Sequence, residues 1–230
     1  IPKDNAVLFL TQEDTLKYSE IFKDRTCAML NKVTLDVIKE KNTKKLTIFL
    51  PHGTQSELQK ANEVAKELIE SNVNIDILIN NAGNAHGMSP IQSGDEADWD
   101  AMMNSNVNGL LYVSQAIIPG MIARMSGHIV NVSSIAGKQI YPNGNVYCGV
   151  KHAADAITRG MRADLYPHGI KVSSIAPGLV ETEFSLVRFK GDKERAQKVY
   201  EGFQPLTAED IADTLGYVVS APEHVVIADV

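Results

Sequence analysis

Short apolar runs alternate along this chain with longer stretches whose apolar residues recur at helical spacing. The runs Ala6–Leu10, Cys27–Leu30, Leu46–Leu50, Ile75–Asn80, His128–Val132 and Ile170–Ala176 read as strands. Ile75–Asn80 is almost uninterrupted apolar sequence, the pattern of a strand covered on both faces. Helices are expected at Glu57–Ser71, Asn108–Met125, Val146–Tyr166 and Ala208–Ser220, and Val225–Val230 reads as the start of a last strand.

Strands separated by helices cannot be joined as hairpins, so they must run parallel, with the helices as crossovers. Right-handed crossovers give an α/β fold: a single doubly wound, Rossmann-type parallel sheet with helices on both faces. Residues 1–230 fit one such domain. Ligands of these folds sit at the carboxyl ends of the strands, so chemistry is sought there. The stretch Glu183–Phe203 is polar and irregular in pattern. Its place just past a strand end reads either as a lid or substrate loop over residues 183–203 or as a solvated surface excursion.

Composition narrows the partners. The formal net charge of -6 argues against bulk attraction to nucleic acid or to an anionic membrane. No apolar run is long enough for a spanning helix, and no charged-then-apolar leader is present. Cys27 and Cys148 form no paired spacing, which fits a reducing cytoplasmic setting. His52, His86 and His128 stand at no useful spacing to carboxylates, so no metal is expected. Asn131-Val132-Ser133 fits a glycosylation sequon but falls on a strand expected to be buried, and is discounted. Met102, Met103, Met121 and Met125 read as core or interface packing. The chain begins at Ile1 and stops at Val230 inside an apolar run, so both ends are expected to be incomplete.

Three residues carry the candidate chemistry. Tyr147 and Lys151 are one helical turn apart and share a face. Ser134 follows the end of the His128–Val132 strand. A phenol loses its proton near pH 10, so acid/base work at neutral pH requires a fall of about 4 kcal/mol in the cost of ionisation. One ammonium at about 4 Å supplies on the order of 4 kcal/mol at an effective dielectric of 20. A well-placed Lys151 is therefore expected to acidify Tyr147, with Ser134 hydrogen-bonding the substrate oxygen. Taken singly, each has a plainer reading: a half-buried tyrosine, a solvated lysine, a helix cap.

Together with other short motifs, these residues resemble the short-chain dehydrogenase/reductase family, over about two thirds of the chain. Asn80-Asn81-Ala82-Gly83 is similar to the element after that family's fourth strand. Asn106, in Asn104-Ser105-Asn106-Val107-Asn108-Gly109, matches its asparagine, and Ser134, Tyr147 and Lys151 match the rest of the catalytic tetrad. Pro177-Gly178-Leu179-Val180-Glu181-Thr182 matches the element that closes over the nicotinamide end of the cofactor. The resemblance implies hydride transfer with NADP, NAD being the alternative. It implies cofactor contacts from Asn81, Ala82, Gly83, Tyr147, Lys151, Pro177, Gly178, Val180 and Thr182, and a water on Asn106 relaying protons from Lys151. A positively charged nicotinamide would further acidify Tyr147. Homotetramers or homodimers are implied as well.

The stretch from Pro177 to Asp192, with Leu206–Asp213, is most similar to the 3-hydroxy acid and serine dehydrogenases within that family. That implies oxidation at the 3-position of a short hydroxy acid of the serine or 3-hydroxyisobutyrate type. Ser134 and Tyr147 then face the substrate, and Arg188 is the candidate for its carboxylate, because a guanidinium binds carboxylate through two parallel hydrogen bonds. The first strand departs from the family. Thr11 is followed by Gln12, Glu13, Asp14, Thr15 and Leu16, and no glycine precedes Gly53, where a glycine-rich phosphate loop is expected. Thr11 and Lys32 are the remaining cofactor candidates there, Lys32 for a 2′-phosphate. Two rivals stay open: a carbonyl reductase of broad specificity, and a non-catalytic protein on the same fold. Arg188 and Lys190 favour an acid substrate over a ketone, and the Gln12–Leu16 stretch favours the non-catalytic reading.

Overall fold

Buried on both faces, Ile75–Asn80 was expected at the heart of a sheet, and that is where it lies. The computed structural model describes residues 5–9, 26–29, 45–49 and 75–230. Six strands, β1 (Asn5–Phe9), β2 (Thr26–Met29), β3 (Lys45–Phe49), β4 (Ile75–Asn80), β5 (Gly127–Val132) and β6 (Ile170–Ile175), form one sheet. Its order is β2-β1-β3-β4-β5-β6, and every pairing is parallel. The winding reverses between β1 and β3, and the loops at that reversal lie outside the described residues. In the common dinucleotide-binding order the first strand neighbours the fourth; here β3 does. The expected helix Glu57–Ser71 also lies outside the described residues.

Period-two alternation in β4 and β5 feeds two cores. Leu78 and Ile129 point to one face, where Val113, Ile117 and Met121 of helix α2 (Gly109–Arg124) and Leu165 of helix α3 (Asn145–Leu165) cover them, and Ile75 at the start of β4 joins that cluster. Ile77, Ile79 and Val130 point to the other, under Leu215 and Val218. Each such side chain removed from water contributes about 1.5–3 kcal/mol, so the sheet is held from both sides and its carboxyl ends are fixed. Leu215 and Val218 belong to the chain's last helix, Ala208–Val219, which Thr207 and Asp210 start with a reciprocal capping box.

Three features differ from the sequence expectation. A helix α1 (Glu96–Met103), capped by Asp95, precedes α2 and joins it through a five-residue π-turn at Asn104–Asn108. Its apolar signal is weak: among its eight residues only Met102 is buried. The stretch 183–203 is not irregular throughout, for it forms two short helices, α4 (Phe184–Arg188) and α5 (Lys193–Lys198), with Asp192 capping the second. The expected strand Val225–Val230 forms only a single bridge, Asp229 to Ser174 of β6, backed by backbone bonds from Ala176 N to Val230 O and from Val230 N to Ser174 O. The Ala208–Val219 helix is then α6. Of the four methionines read as packing, Met102 and Met121 are buried, whereas Met103 and Met125 are exposed. No helix among the described residues is long and apolar enough to cross a membrane.

Candidate active site

Backbone geometry at the end of β5 sets Ser134. Pairing with β6 continues past the strand, from Ser133 N to Ile175 O (2.7 Å) and from Ile135 N to Pro177 O (3.0 Å). Ser134 itself is extended and caps the one-turn helix Ile135–Gly137, its hydroxyl accepting from Ala136 N at 3.1 Å. That turn packs directly on α3. A Cβ on Gly137 would stand 2.7 Å from the Lys151 carbonyl oxygen, so only glycine allows the approach. The same Ile135–Pro177 bond brings the Pro177-Gly178 element beside Ser134. Val180 then pairs with Leu206, and the Thr182 hydroxyl accepts from Phe184 N at 3.2 Å, tying down the start of α4.

Helix α3 presents Tyr147, Cys148, Val150, Lys151, Ala154, Asp155 and Thr158 inward, a stripe of i, i+3 and i+4 positions. Tyr147 and Lys151 are thus brought together on a buried face. The Lys151 Nζ lies 5.9 Å from the Tyr147 ring centroid, and the Ser134 hydroxyl stands beside the phenol. Lys151 makes one long hydrogen bond, 3.5 Å to Val132 O.

The π-turn is what places Asn106. An inserted residue in a helix turns one side chain out of the regular register, and here Asn106 is driven toward β4. Its Nδ2 donates to Asn84 O and Met102 O, both at 2.9 Å. Its Oδ1 is buried without a hydrogen-bond partner. Gly83 keeps this corner open, because a Cβ there would lie 2.6 Å from Asn106 Oδ1 and 3.0 Å from Lys151 Nζ. Gly83, Asn106 and Lys151 therefore meet at one point. Asn81 and Ala82 follow β4 at half-buried positions, Ala82 packed on the α2 core. Thr11 and Lys32 lie outside the described residues.

Electrostatics in the site run against the simple expectation for the tyrosine. Burial pushes the Tyr147 phenol above its ordinary range, and the Ser134 hydroxyl and the Arg188 guanidinium pull it only partly back. Lys151 is not the group that opposes the burial. Its own proton is held less tightly, down to about 8, because the ammonium is desolvated. The expectation of an acidified phenol rested on two charges in a wet site, whereas here both groups are dry. His128, equally buried beside Ser173 (Nε2 to Oγ 2.8 Å), is pushed down to about 4 by burial and by Lys171.

Beside Tyr147 lies a shallow, open cleft whose walls include His86, Asp98, Trp99, Met102, Asn143 and Arg188. Arg188 reaches it from the end of α4. Its Nε donates to Gly87 O at 3.2 Å, and its own carbonyl accepts from Gly87 N at 2.9 Å. The guanidinium carbon lies 5.5 Å from the Tyr147 ring and 5.6 Å from the Tyr141 ring. Among the described residues Arg188 has no carboxylate partner, whereas Lys190 is taken up by Asp98 at 2.9 Å and Asp95 at 3.4 Å. Sequence reasoning missed Gly87, Asp98, Trp99 and Tyr141. The signals open to it were the single tryptophan and the aromatic residue just before Pro142-Asn143-Gly144, a turn sequence that opens α3.

Doubly wound topology, with Asn106, Tyr147 and Lys151 buried and Ser134 half-buried at the strands' carboxyl ends, defines an α/β protein with polar groups gathered where such folds take their ligands. The chain belongs to the short-chain dehydrogenase family, whose sequence model, described as short chain dehydrogenase, matches residues 22–192. It is 45% identical over 152 residues to the NADP-dependent 3-hydroxy acid dehydrogenase of Salmonella typhi, covering 66% of this chain. It is 39% identical over 193 residues to the serine 3-dehydrogenase of Rhizobium radiobacter, covering 84% of this chain and 70% of that one. The match spans only 61% of the length of the Salmonella protein. Among solved structures it resembles the closed form of a serine dehydrogenase complexed with NADP+. There the TM-score is 0.72 and the identity 34%, over 85% of this chain and 88% of that one.

Proposed function

We propose that this chain is an NADP-dependent dehydrogenase that oxidises the 3-hydroxyl of a short hydroxy acid of the serine or 3-hydroxyisobutyrate type. One observation carries the substrate class: an arginine with no acid partner among the described residues stands over the tyrosine of a Ser–Tyr–Lys–Asn cluster. The similarity to the hydroxy acid and serine dehydrogenases supports the same class.

The residues present fit a dinucleotide. Lys151 is a buried ammonium with three donors and one long bond, which suits ribose hydroxyls. A Cβ on Gly178 would meet nothing closer than 4.0 Å, so the backbone after β6 leaves room for a ligand. Asn81, Ala82 and Gly83 would line the adenosine side, and Pro177, Gly178, Val180 and Thr182 the nicotinamide side, with Thr11 and Lys32 as candidates for the phosphates. When bound, NADP+ supplies the hydride acceptor and a positively charged ring.

In this reading Tyr147 acts as the phenolate, its own proton having passed by way of Lys151 and the water on Asn106 to solvent. Its oxygen then takes the proton of the substrate hydroxyl, and the transfers run backwards in the reverse direction. Ser134 donates a hydrogen bond to the substrate oxygen and steadies the charge that develops there. Lys151 supplies positive charge on the same face of α3, and Asn106 Oδ1 is the acceptor for a water that connects Lys151 with solvent. Arg188 pairs with the carboxylate, so the 3-carbon is held by one end of the substrate while Tyr147 acts at the other. Residues 1–230 form one catalytic domain with 183–203 as its lid, and the enzyme works as a homo-oligomer.

The test is a titration of the purified protein with NADP+, followed by reduced-nicotinamide absorbance on adding L-serine or 3-hydroxyisobutyrate. Turnover that Tyr147→Phe abolishes is the expected result. Cofactor binding with turnover of neutral alcohols alone would refute the acid substrate, and absence of cofactor binding would refute the enzyme.

A further inference from the structure

The hydroxy-acid reading assigns Arg188 to the carboxylate but leaves open what keeps a guanidinium, on a flexible three-carbon stem, aimed at one spot. Such a side chain loses about 2 kcal/mol of rotamer freedom when fixed, so an unpaired arginine at a cleft needs a built support. Tyr141 provides it. Its ring lies 5.6 Å from the Arg188 guanidinium carbon, within cation–π range. Burial raises the Tyr141 phenol, and the Arg188 guanidinium beside its hydroxyl pulls it partly back. With Gly87 O receiving the Nε, the guanidinium is held by one hydrogen bond and one ring face, both from protein groups that carry no charge. Neither support neutralises the arginine, in contrast to the two carboxylates that hold Lys190.

The seat of Tyr141 is itself specified. Gly144 N closes a turn onto Tyr141 O at 3.1 Å, and Asn143 adopts the left-handed conformation (φ 63°) that the turn requires. A Cβ on Gly144 would collide with the ring carbons Cε2, Cζ and Cδ2 of Tyr141. The ring therefore rests flat against a backbone that only glycine leaves bare, directly before α3 brings in Tyr147. One short turn fixes both the arginine's support and the first residues of the catalytic helix.

We propose that Tyr141 is a positioning residue that holds Arg188 in register for the substrate carboxylate and thereby sets the preference for hydroxy acids over neutral alcohols. The proposal rests on the hydroxy-acid reading given above. Its effect appears as a difference between charged and neutral ligands. A residue that merely holds the fold would weaken both alike.

Trp99, the chain's single tryptophan, lines the same cleft and reports binding without turnover. The full chain, carrying Tyr147→Phe so that the bound pair cannot react, is titrated in the presence of NADP+ with 3-hydroxyisobutyrate and with its uncharged amide. Binding is read by Trp99 fluorescence and by calorimetry on the same samples, and the substitutions below are compared in that background. Tyr141→Phe keeps the ring on Gly144 and removes only the hydroxyl beside the guanidinium. It is expected to raise the Kd of the acid about tenfold, the usual scale for a lost polar contact with a charged group, and to shift that of the amide less than twofold. With Tyr147 intact, KM for the acid should rise in step while kcat moves far less. Gly144→Ala, which displaces the ring, should give the same acid-selective loss. If Tyr141→Phe weakens acid and amide equally, or neither, the proposal is overturned while the hydroxy-acid reading stands. If the chain with Tyr141 intact binds the acid no better than the amide, that reading falls and the proposal with it.

Discussion

Replacing Gly83 with alanine adds one methyl group at the point where Asn106 and Lys151 meet. The new Cβ would stand 2.6 Å from Asn106 Oδ1, 3.4 Å from Asn106 Cγ and 3.0 Å from Lys151 Nζ. Carbon–oxygen contacts ordinarily begin at about 3.3 Å, so the asparagine must retreat by about 0.7 Å. It cannot do so freely, because its Nδ2 is fixed by Asn84 O and Met102 O at 2.9 Å and approaches Ser105 Oγ at 3.1 Å. Lys151 Nζ is the free end of a long chain, with one 3.5 Å bond, and it will yield first. Overpacking of this kind costs about 1–3 kcal/mol, a fall of roughly 4–8 °C in Tm for a domain of this size at the middle of that range. The effect on turnover should be larger. A displacement approaching 1 Å in a reacting group costs on the order of 100-fold; Asn106, pushed by about 0.7 Å, and Lys151, pushed by a few tenths of an ångström, both belong to the proposed catalytic cluster. Thermal unfolding and initial rates with NADP+ and a hydroxy acid measure the two effects on one sample. Unchanged Tm together with wild-type turnover would refute the claim that this corner is filled to contact.

Two further outcomes follow from the same coordinates. Tyr147→Phe should lower kcat by about 10²–10⁴, the range for loss of a general acid/base, while cofactor affinity by fluorescence titration changes little. His128 should make stability pH-dependent on the acid side. Its proton is held at about 4 in the fold against 6.5 when free, so the unfolded chain binds more protons between those values. Stability present above pH 6.5 is therefore lost as pH falls toward 4, by about 3 kcal/mol from this group. Denaturant titrations across that window should show the slope, and His128→Gln, which cannot take up a proton, should flatten it.

Much of the fold was legible because its signals are local and repeated. Ile75–Asn80 reads as a doubly covered strand from apolar content alone, and its bounds agree with the observed β4. Helix α3 was found within one residue at each end, since its inward stripe persists over five turns. Tyr147, Lys151 and Ser134 were found by spacing, and Asn106 by resemblance. What sequence did not show depends on how elements meet. Helix α1 buries almost nothing and owes its existence to its Asp95 cap and its continuity with α2. The short helices α4 and α5 are held by tertiary bonds, such as Ser185 Oγ to Tyr200 Oη at 2.8 Å and Tyr200 Oη to Val180 O at 3.1 Å, which no periodicity encodes. The segment after α6 forms a single bridge because side chains hold the stretch leading into it: Lys171 holds the carbonyls of Pro222 and Val225, and Arg162 shares Ala228 O with Ser174 N of β6.

The lysine shows why burial had to be seen before its role could be weighed. In a wet site an ammonium near a phenol keeps its own charge without strain. Here Lys151 is buried, carries one weak bond, and holds its proton at about 8 against 10.5 in the unfolded chain. Between those values the unfolded state binds more protons than the folded one, so stability attributable to this residue rises with pH from 8 to 10.5 and is lowest below 8. At neutral pH the fold thus carries a penalty of about 3 kcal/mol for keeping the charge in place. An uncharged side chain of similar reach should remove it. Lys151→Met is therefore expected to unfold at higher denaturant concentration than the wild type at pH 7, by an amount that shrinks as pH approaches 10.5, and to lose turnover at every pH. A variant that is inactive but less stable at pH 7 would mean that the ammonium has partners strong enough to repay its burial. A charge whose burial destabilises the fold by itself is the arrangement expected where a ligand's polar groups complete the lysine's bonding.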